Sequence, residues 1–291
     1  ADLDIQYLMG VGVNIPTWFI SLDKTFGDGF LEWIILLLEL GDKAPLLQST
    51  SYGADERFLS SSYLDRVSED LMKFGTTGHT LFYSSGDYGV GCDCSRPEIP
   101  KYVAHFPASS PYVTSIGGTI SVPTVNGTEI GVTFSGGGFS NHFARQSYQE
   151  SAVAAFLNSS TSLPLSSFYN SSNRGYPDMS AWALNYEIYE HGNLDYIGGT
   201  SASTPAVAGM FSLINDLRLQ QQLPPLGFLN PALYTMLQTS CYNDILRGNN
   251  GDQPCCEGFT AQSGWDPMTG LGSPNFPALE SFFMQSFPLR R

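Results

Sequence analysis

Gly199-Thr200-Ser201-Ala202-Ser203-Thr204-Pro205, running on into the apolar stretch that ends at Leu219, is the segment on which the fold reading turns. From Ser203 to Leu219 the apolar side chains recur at helical spacing, and Pro205 stands where a helix begins, since its missing N–H costs nothing there. Ser201 immediately precedes that helix, among Gly198, Gly199, Ala202 and Ser203, side chains small enough to let a substrate backbone approach. The dipole and unpaired amides of the helix favour a developing negative charge at this point. Helix capping is the other reading of Ser201 or Ser203, and an isolated serine near a helix start more often does that.

Outward from this segment, helical and extended patterns alternate. Gly29 to Leu40 is apolar at helical spacing, and Ser60 to Phe74 has the same period with a polar opposite face. Thr17 to Leu22, Leu46 to Ser51, His79 to Ser84 and Tyr112 to Ile116 are short apolar runs that predict buried strands. Such alternation gives an α/β fold, a mostly parallel sheet with helices on both faces. Without internal repeat or low-complexity tract, residues 1–291 read as a single domain whose C-terminal part, 241–274, is rich in loops. In such folds ligands sit beyond the carboxyl ends of the strands. Ser84-Ser85-Gly86-Asp87 and Ser135-Gly136-Gly137-Gly138 each end a predicted strand, so both can converge with Ser201 on one cleft.

Charge and composition exclude several function classes. The chain has 27 acidic against 13 basic residues in 291, a formal charge of -14, which disfavours nucleic acid and anionic membrane surfaces as partners. The longest apolar run, Trp33 to Leu38, is far below the ~20 residues that span a bilayer. Three sequons, at Asn126, Asn158 and Asn170, stand beside five cysteines: Cys92, Cys94, Cys241, Cys255 and Cys256. Together they predict a lysosomal or secreted glycoprotein with disulfides and one cysteine left over. Zinc is the competing use of those cysteines, and their spacing does not suit it. The chain opens on Ala1 in what reads as the middle of a helix, so its start is expected upstream.

A serine nucleophile needs a base, and in neutral serine peptidases that base is histidine. His79, His105, His142 and His191 stand in contexts that read as structural or surface positions. A carboxylate must then take the proton, and a carboxylate works best in acid.

At this point the sequence resembles the sedolisin family of serine-carboxyl peptidases. The resemblance runs along the whole chain, through residues 1–9, Ser84 to Asp87, Phe106 to Thr114, Ser135 to Ser140 and Gly199 to Pro205. It implies a subtilisin-like fold whose N-terminal part lies outside this chain, an acyl-enzyme on Ser201, and peptide substrates from which tripeptides are released. It also implies that Asp87 helps form the oxyanion hole, for which its carboxyl must be protonated, because a carboxylate cannot donate a hydrogen bond. Asp4 matches one of two carboxylates four residues apart on a helix. The other, a Glu acting as general base, is expected one residue before Ala1, on a companion fragment of the same precursor; Asp2 lies on another face of the helix.

The same resemblance makes Ser135, Gly136 and Gly137 one wall of a peptide-binding cleft, and Ser51, Tyr52 and Gly53 the opposite wall. It assigns Ca2+ to Asp244 and Asp266 through carboxylates, and to Ile245, Gln262 and Gly264 through main-chain oxygens. Gln262 and Ser263 depart from a Gly-Pro carried there by a family member. The alternatives are a catalytically inactive relative that binds peptides or a partner, suggested by the missing Glu and by Gly198, where the family usually has Ser, and a neutral subtilisin-type hydrolase, which the histidines oppose.

Overall fold

The computed structural model describes residues 2–22, 29–92, 102–122, 128–160, 162–251 and 257–285. In chain order the elements are α1 (Asp2–Val11), α2 (Gly29–Leu40), β1 (Leu47–Thr50), β2 (Ala54–Asp55), α3 (Ser61–Thr76), β3 (Thr80–Ser84), β4 (His105–Phe106), β5 (Thr114–Val122), β6 (Thr128–Gly131), β7 (Gly138–Ala144), α4 (Glu150–Ser159), β8 (Asn173–Tyr176), β9 (Met179–Trp182), β10 (Tyr186–Glu190), β11 (Asn193–Ile197), α5 (Thr200–Gln220), α6 (Asn230–Thr235), β12 (Tyr242–Asn243), β13 (Ser273–Pro274) and α7 (Phe276–Gln285). The main sheet runs β1-β3-β5, with β9 also on β5; these pairs are all parallel, and only β6 joins β5 antiparallel. This is the subtilisin-like α/β arrangement that the alternating pattern implies.

Strand β3 shows why both faces are covered. Leu81 and Tyr83 point into a cluster with Ile34 and Leu37 of α2 and Leu71 and Phe74 of α3, while Phe82, between them, points at Val207 and Phe211 of α5. Alternation along a strand makes one apolar run serve two cores. Helix α2 buries Phe30, Ile34 and Leu37, spaced four and three residues apart, and α3 begins where Ser60 caps it, its hydroxyl accepting from the Tyr63 N–H at 3.2 Å.

Three expectations are corrected. Residues 17–22 form no strand: they run past a cavity beside β1, with Trp18 and Phe19 exposed. An apolar run without a pairing partner does not become a strand, whatever its propensity. Strand β5 starts at Thr114 and extends to Val122. Helix α5 begins at Thr200, so Ser201 lies within its first turn and Gly199 is the cap residue.

Under the sheet, Arg174 and Asp178 form a fully buried ion pair at 2.6 Å. The Asp178 carboxylate also accepts from the Ser115 N–H at 2.8 Å and the Tyr234 hydroxyl at 2.9 Å, tying β5, β8 and α6 together. Replacing Asp178 by Ala strands a guanidinium in the core, an expected cost of about 3–5 kcal/mol. Chemical denaturation should read this as a lowered midpoint with an unchanged slope.

Candidate active site

Three carboxyl ends of parallel strands meet at the start of α5. The first is the loop after β3. Asp87 reaches from it to the helix N-terminus, where its Oδ1 accepts the Thr200 N–H at 2.7 Å and the Thr200 hydroxyl at 2.8 Å. The Gly86 N–H donates back to the Thr200 hydroxyl at 3.1 Å. Asp87 therefore caps a helix from which it is more than a hundred residues distant in sequence, satisfying one of the orphan amides of the first turn. Its other oxygen, Oδ2, faces Gly199: a Cβ there would sit 2.8 Å from it, and Gly199 holds a φ of +134°. Glycine at 199 is thus required twice, by space and by backbone angle.

The second contribution comes from the end of β1. Pro205 has no N–H, so the Ser201 carbonyl loses its ordinary partner one turn later in the helix. The Ser51 hydroxyl takes it, at 3.2 Å. Ser51 and Tyr52 then line a cavity of 690 Å³ together with Asp4 and Leu8 of α1 and Leu47 of β1. Asp4 is half-buried there, whereas Asp2 is exposed. Gly53 follows, and its lack of a side chain has a specific cause.

That cause is His105. A Cβ on Gly53 would lie 2.5 Å from the His105 Nδ1 atom, and one on Gly86 would lie 3.2 Å from it. The imidazole fills the space between Gly53 and Gly86, and burial pulls its pKa below the ordinary value, against the pull of Asp55 and Asp87. The sequence reading left His105 as a structural or surface residue. Its position between two cleft glycines was available only from the pairing of β2 with β4, which sets His105 opposite Asp55.

The third contribution is from β9. One residue, Ala202, separates Ser201 from Ser203, and the roles of the two serines divide. The Ser203 hydroxyl is buried and lies 2.9 and 2.8 Å from the carbonyls of Ala181 and Trp182. Among the described residues the Ser201 hydroxyl has no hydrogen-bond partner, and neither has its N–H. Of the four histidines none serves Ser201: His79 stacks on Phe74, His142 pairs with Asp65 at 2.6 Å, and His191 is solvent-exposed.

Ser135, Gly136 and Gly137 lie behind the Asp87 loop. The Gly136 N–H donates to the Gly86 carbonyl at 2.8 Å and the Gly137 N–H to that of Gly89 at 3.2 Å. The Ser135 hydroxyl accepts from the Gly118 N–H and donates to the Met268 carbonyl. Cβ atoms at 136 and 137 would strike the carbonyl oxygens of Ser85 and Pro267, at 2.3 and 1.9 Å. These glycines are required by neighbouring main chain, and their amides are already engaged in shaping the loop that presents Asp87.

In the C-terminal loops, Asp266 is fully buried and burial pushes its carboxyl up to about 7. It accepts the N–H groups of Gln262, Met268 and Thr269, and Asp244 accepts that of Gly264, so both carboxylates hold the 262–264 loop. Ile245 packs beside Ala261 and Met268. Among the described residues no group of three or more His, Cys, Asp and Glu side chains is placed to hold a metal ion, so the hard-oxygen donors a calcium ion would take here are these two carboxylates with main-chain oxygens of the loop. Asn158 and Asn170 are both exposed; Asn126 lies outside the described residues, as do Cys94, Cys255 and Cys256. Cys241 is a free buried thiol and Cys92 is disulfide-bonded. No helix among the described residues is long and apolar enough to cross a membrane.

Comparison with known proteins follows the same lines. Residues 32–232 match the model of the Subtilase family. The sequence is 46% identical to Tripeptidyl-peptidase 1 of Homo sapiens over 289 residues, covering 96% of this chain and 50% of that protein. It is 42% identical over 290 residues to Tripeptidyl-peptidase 1 of Dictyostelium discoideum, covering 97% and 47%. The chain thus spans about half the length of the curated relatives it matches. Among solved structures, Pseudomonas sedolisin, a serine-carboxyl proteinase complexed with two molecules of pseudo-iodotyrostatin, superposes with a TM-score of 0.77 at 25% identity, covering 98% of this chain and 78% of that one. S41 Psychrophilic Protease shares the fold, at a TM-score of 0.54, 18% identity and coverage of 87% and 65%. A family match over more than two-thirds of the chain, joined to the serine, carboxylate and glycine geometry at the start of α5, makes this chain a member of the subtilase family, similar within it to the sedolisin-type peptidases.

Proposed function

We propose that this chain carries the nucleophile of an acid-acting serine peptidase of the tripeptidyl-peptidase type. The observation that carries the reading is the contrast at the first turn of α5. Among the described residues neither the hydroxyl nor the N–H of Ser201 has a partner, and Asp87 holds the neighbouring Thr200 through one oxygen. In the proposed reaction Ser201 Oγ attacks the peptide carbonyl carbon and its proton passes to a carboxylate base. The oxyanion is held by the Ser201 N–H and by a proton on Asp87 Oδ2, while Oδ1 goes on accepting from Thr200. Collapse breaks the C–N bond, the amine leaves with the proton returned by the base, and water then hydrolyses the ester on Ser201. Asp4 and a Glu one residue ahead of Ala1 form the base on one face of α1.

A segment carrying that Glu is the proposed partner of this chain, alongside the peptide substrate. Support comes from β1, which among the described residues pairs only with β3 and borders the 690 Å³ cavity on its other side. Parallel sheets are normally covered on such edges. Calcium is the proposed cofactor, held by Asp244 and Asp266 with main-chain oxygens of Ile245, Gln262 and Gly264; when bound it supplies a charge that offsets the buried carboxylate. A lysosomal or secreted location follows from the acid chemistry together with exposed Asn158 and Asn170.

The test is a pH profile of peptide cleavage by the complete protein. Cleavage is expected near pH 4 to 5. Ser201→Ala should abolish it and Asp87→Ala should lower kcat by about 10²–10³. Asp87→Asn keeps a donor at every pH, so its rate should fall less steeply toward neutrality than that of the wild type. An optimum above about pH 7 would sink the proposal, and silence at every pH leaves a peptide-binding protein.

Chelation tests the calcium assignment separately. An ion present at a hundred times its Kd contributes about 2.7 kcal/mol, so EDTA should lower Tm by roughly 4 °C and calcium should restore it. Asp244→Asn should abolish that difference.

A further inference from the structure

Helix α1 is gripped from two sides. Toward α5 the chain just after α1 packs closely: a Cβ on Gly209 would lie 2.9 Å from the Gly12 N and 2.8 Å from the Cβ of Val11, and one on Gly12 would lie 3.5 Å from the Gly209 Cα. On its other side α1 meets the β10–β11 hairpin. The Gln6 Nε2 donates to the Tyr189 carbonyl at 3.0 Å, and the Tyr189 N–H donates to the Gln6 Oε1 at 2.9 Å. Next to it the Tyr7 hydroxyl donates to the Glu187 carbonyl at 2.9 Å, and its ring stands edge-on to Tyr186 at 4.3 Å.

A side-chain amide that meets the N–H and C=O of one residue copies the pairing of a neighbouring strand. Both bonds can form at only one height and one rotation of the helix. Gln6 lies about 200° around the helix from Asp4, and Tyr7, which meets the same hairpin, about 60° from it on the near side, so the two contacts together fix the rotation at which Asp4 is presented. The hairpin is in turn the segment through which the chain enters the site. Strand β11 ends at Ile197, and the Gly199 N–H donates to the Ala183 carbonyl at 2.7 Å, just ahead of Ser201.

We propose that Gln6 is a positioning residue, whose amide locks α1 in register with the hairpin and thereby aligns the carboxylate face of α1 with Ser201. The inference rests on the peptidase reading given above. Its bonds lie at the surface, where their loss changes global stability little and alignment more.

The experiment uses the complete protein and counts competent Ser201 sites with a covalent serine reagent, so that misfolded protein is excluded from the rate. Gln6→Ala is expected to lower kcat per titrated site by about tenfold or more, with KM within about threefold. Gln6→Glu supplies a distinctive second readout. Below about pH 4 its carboxyl is protonated and offers one donor and one acceptor, as the amide does; above that it offers acceptors only and repels the Tyr189 carbonyl. Its kcat should therefore approach that of the wild type in the acid range and fall away faster as pH rises, while Gln6→Ala stays low throughout. An unchanged kcat per site in Gln6→Ala, or a Gln6→Glu profile parallel to the wild type, overturns the proposal alone. A wild-type protein that cleaves no peptide overturns the peptidase reading and this one with it.

Discussion

The Oδ1 atom of Asp87 accepts both the N–H and the hydroxyl of Thr200, and this junction joins the loop after β3 to the first turn of α5. Much else at the site is arranged around it. Gly199 must lack a side chain because Oδ2 occupies the space, and Gly86 must approach Thr200 closely enough to donate to its hydroxyl. Gly136 must lie flat against Ser85 and Gly86 to keep that loop in place, and Ser135 anchors the supporting loop between β6 and β7 on the Met268 carbonyl. Each glycine in the two sequence motifs therefore answers to a backbone approach within one connected assembly. The small residues that first read as room for a substrate are, in large part, room for the protein itself.

The same junction limits what Asp87 can do. Two donors already address Oδ1, so in the proposed reaction a charged carboxylate would present a second acceptor at Oδ2 toward the oxyanion. A protonated carboxyl keeps both bonds at Oδ1 and turns Oδ2 into a donor. The hydrogen bonds at Oδ1 accept either form of the carboxyl, so under the proposed reaction the anchor to Thr200 is kept whichever role Oδ2 takes.

What could be read from the sequence was what local periodicity encodes. The pattern Phe30, Ile34, Leu37 gives α2 to the residue, and Ser60 marks the start of α3 because a cap is a local device. Thr17 to Leu22 has the same apolar content as a strand and is none, because strand formation depends on a partner that no local pattern supplies. His105 escaped for a similar reason. Its importance arises from two glycines distant from it in sequence, brought together by the short β2–β4 pairing. The β10–β11 hairpin also went unread: all of β11 is exposed, so it has no buried face to leave a period-two signature. The carboxylates of the C-terminal loops were named by resemblance alone, and burial is what distinguishes Asp266 from an ordinary turn residue.

The proline in the nucleophile segment shows how a fold residue and a site residue can be one. In an uninterrupted helix the N–H at 205 would bind the carbonyl of Ser201, and the first turn would close on itself. Pro205 withholds that donor, so the Ser201 carbonyl must find another, and it finds Ser51 at the end of β1. Ser203, two residues on, is bound down to β9, and Thr200, one residue back, is bound to Asp87. The main chain around Ser201 is therefore pinned by three separate strand ends, while its own side chain has no partner among the described residues. A serine that served as a cap would show the reverse, with its hydroxyl engaged by its own helix. That inversion separates Ser201 from a capping residue, and it comes from the identities of its neighbours at 200, 203 and 205 rather than from anything about the serine itself.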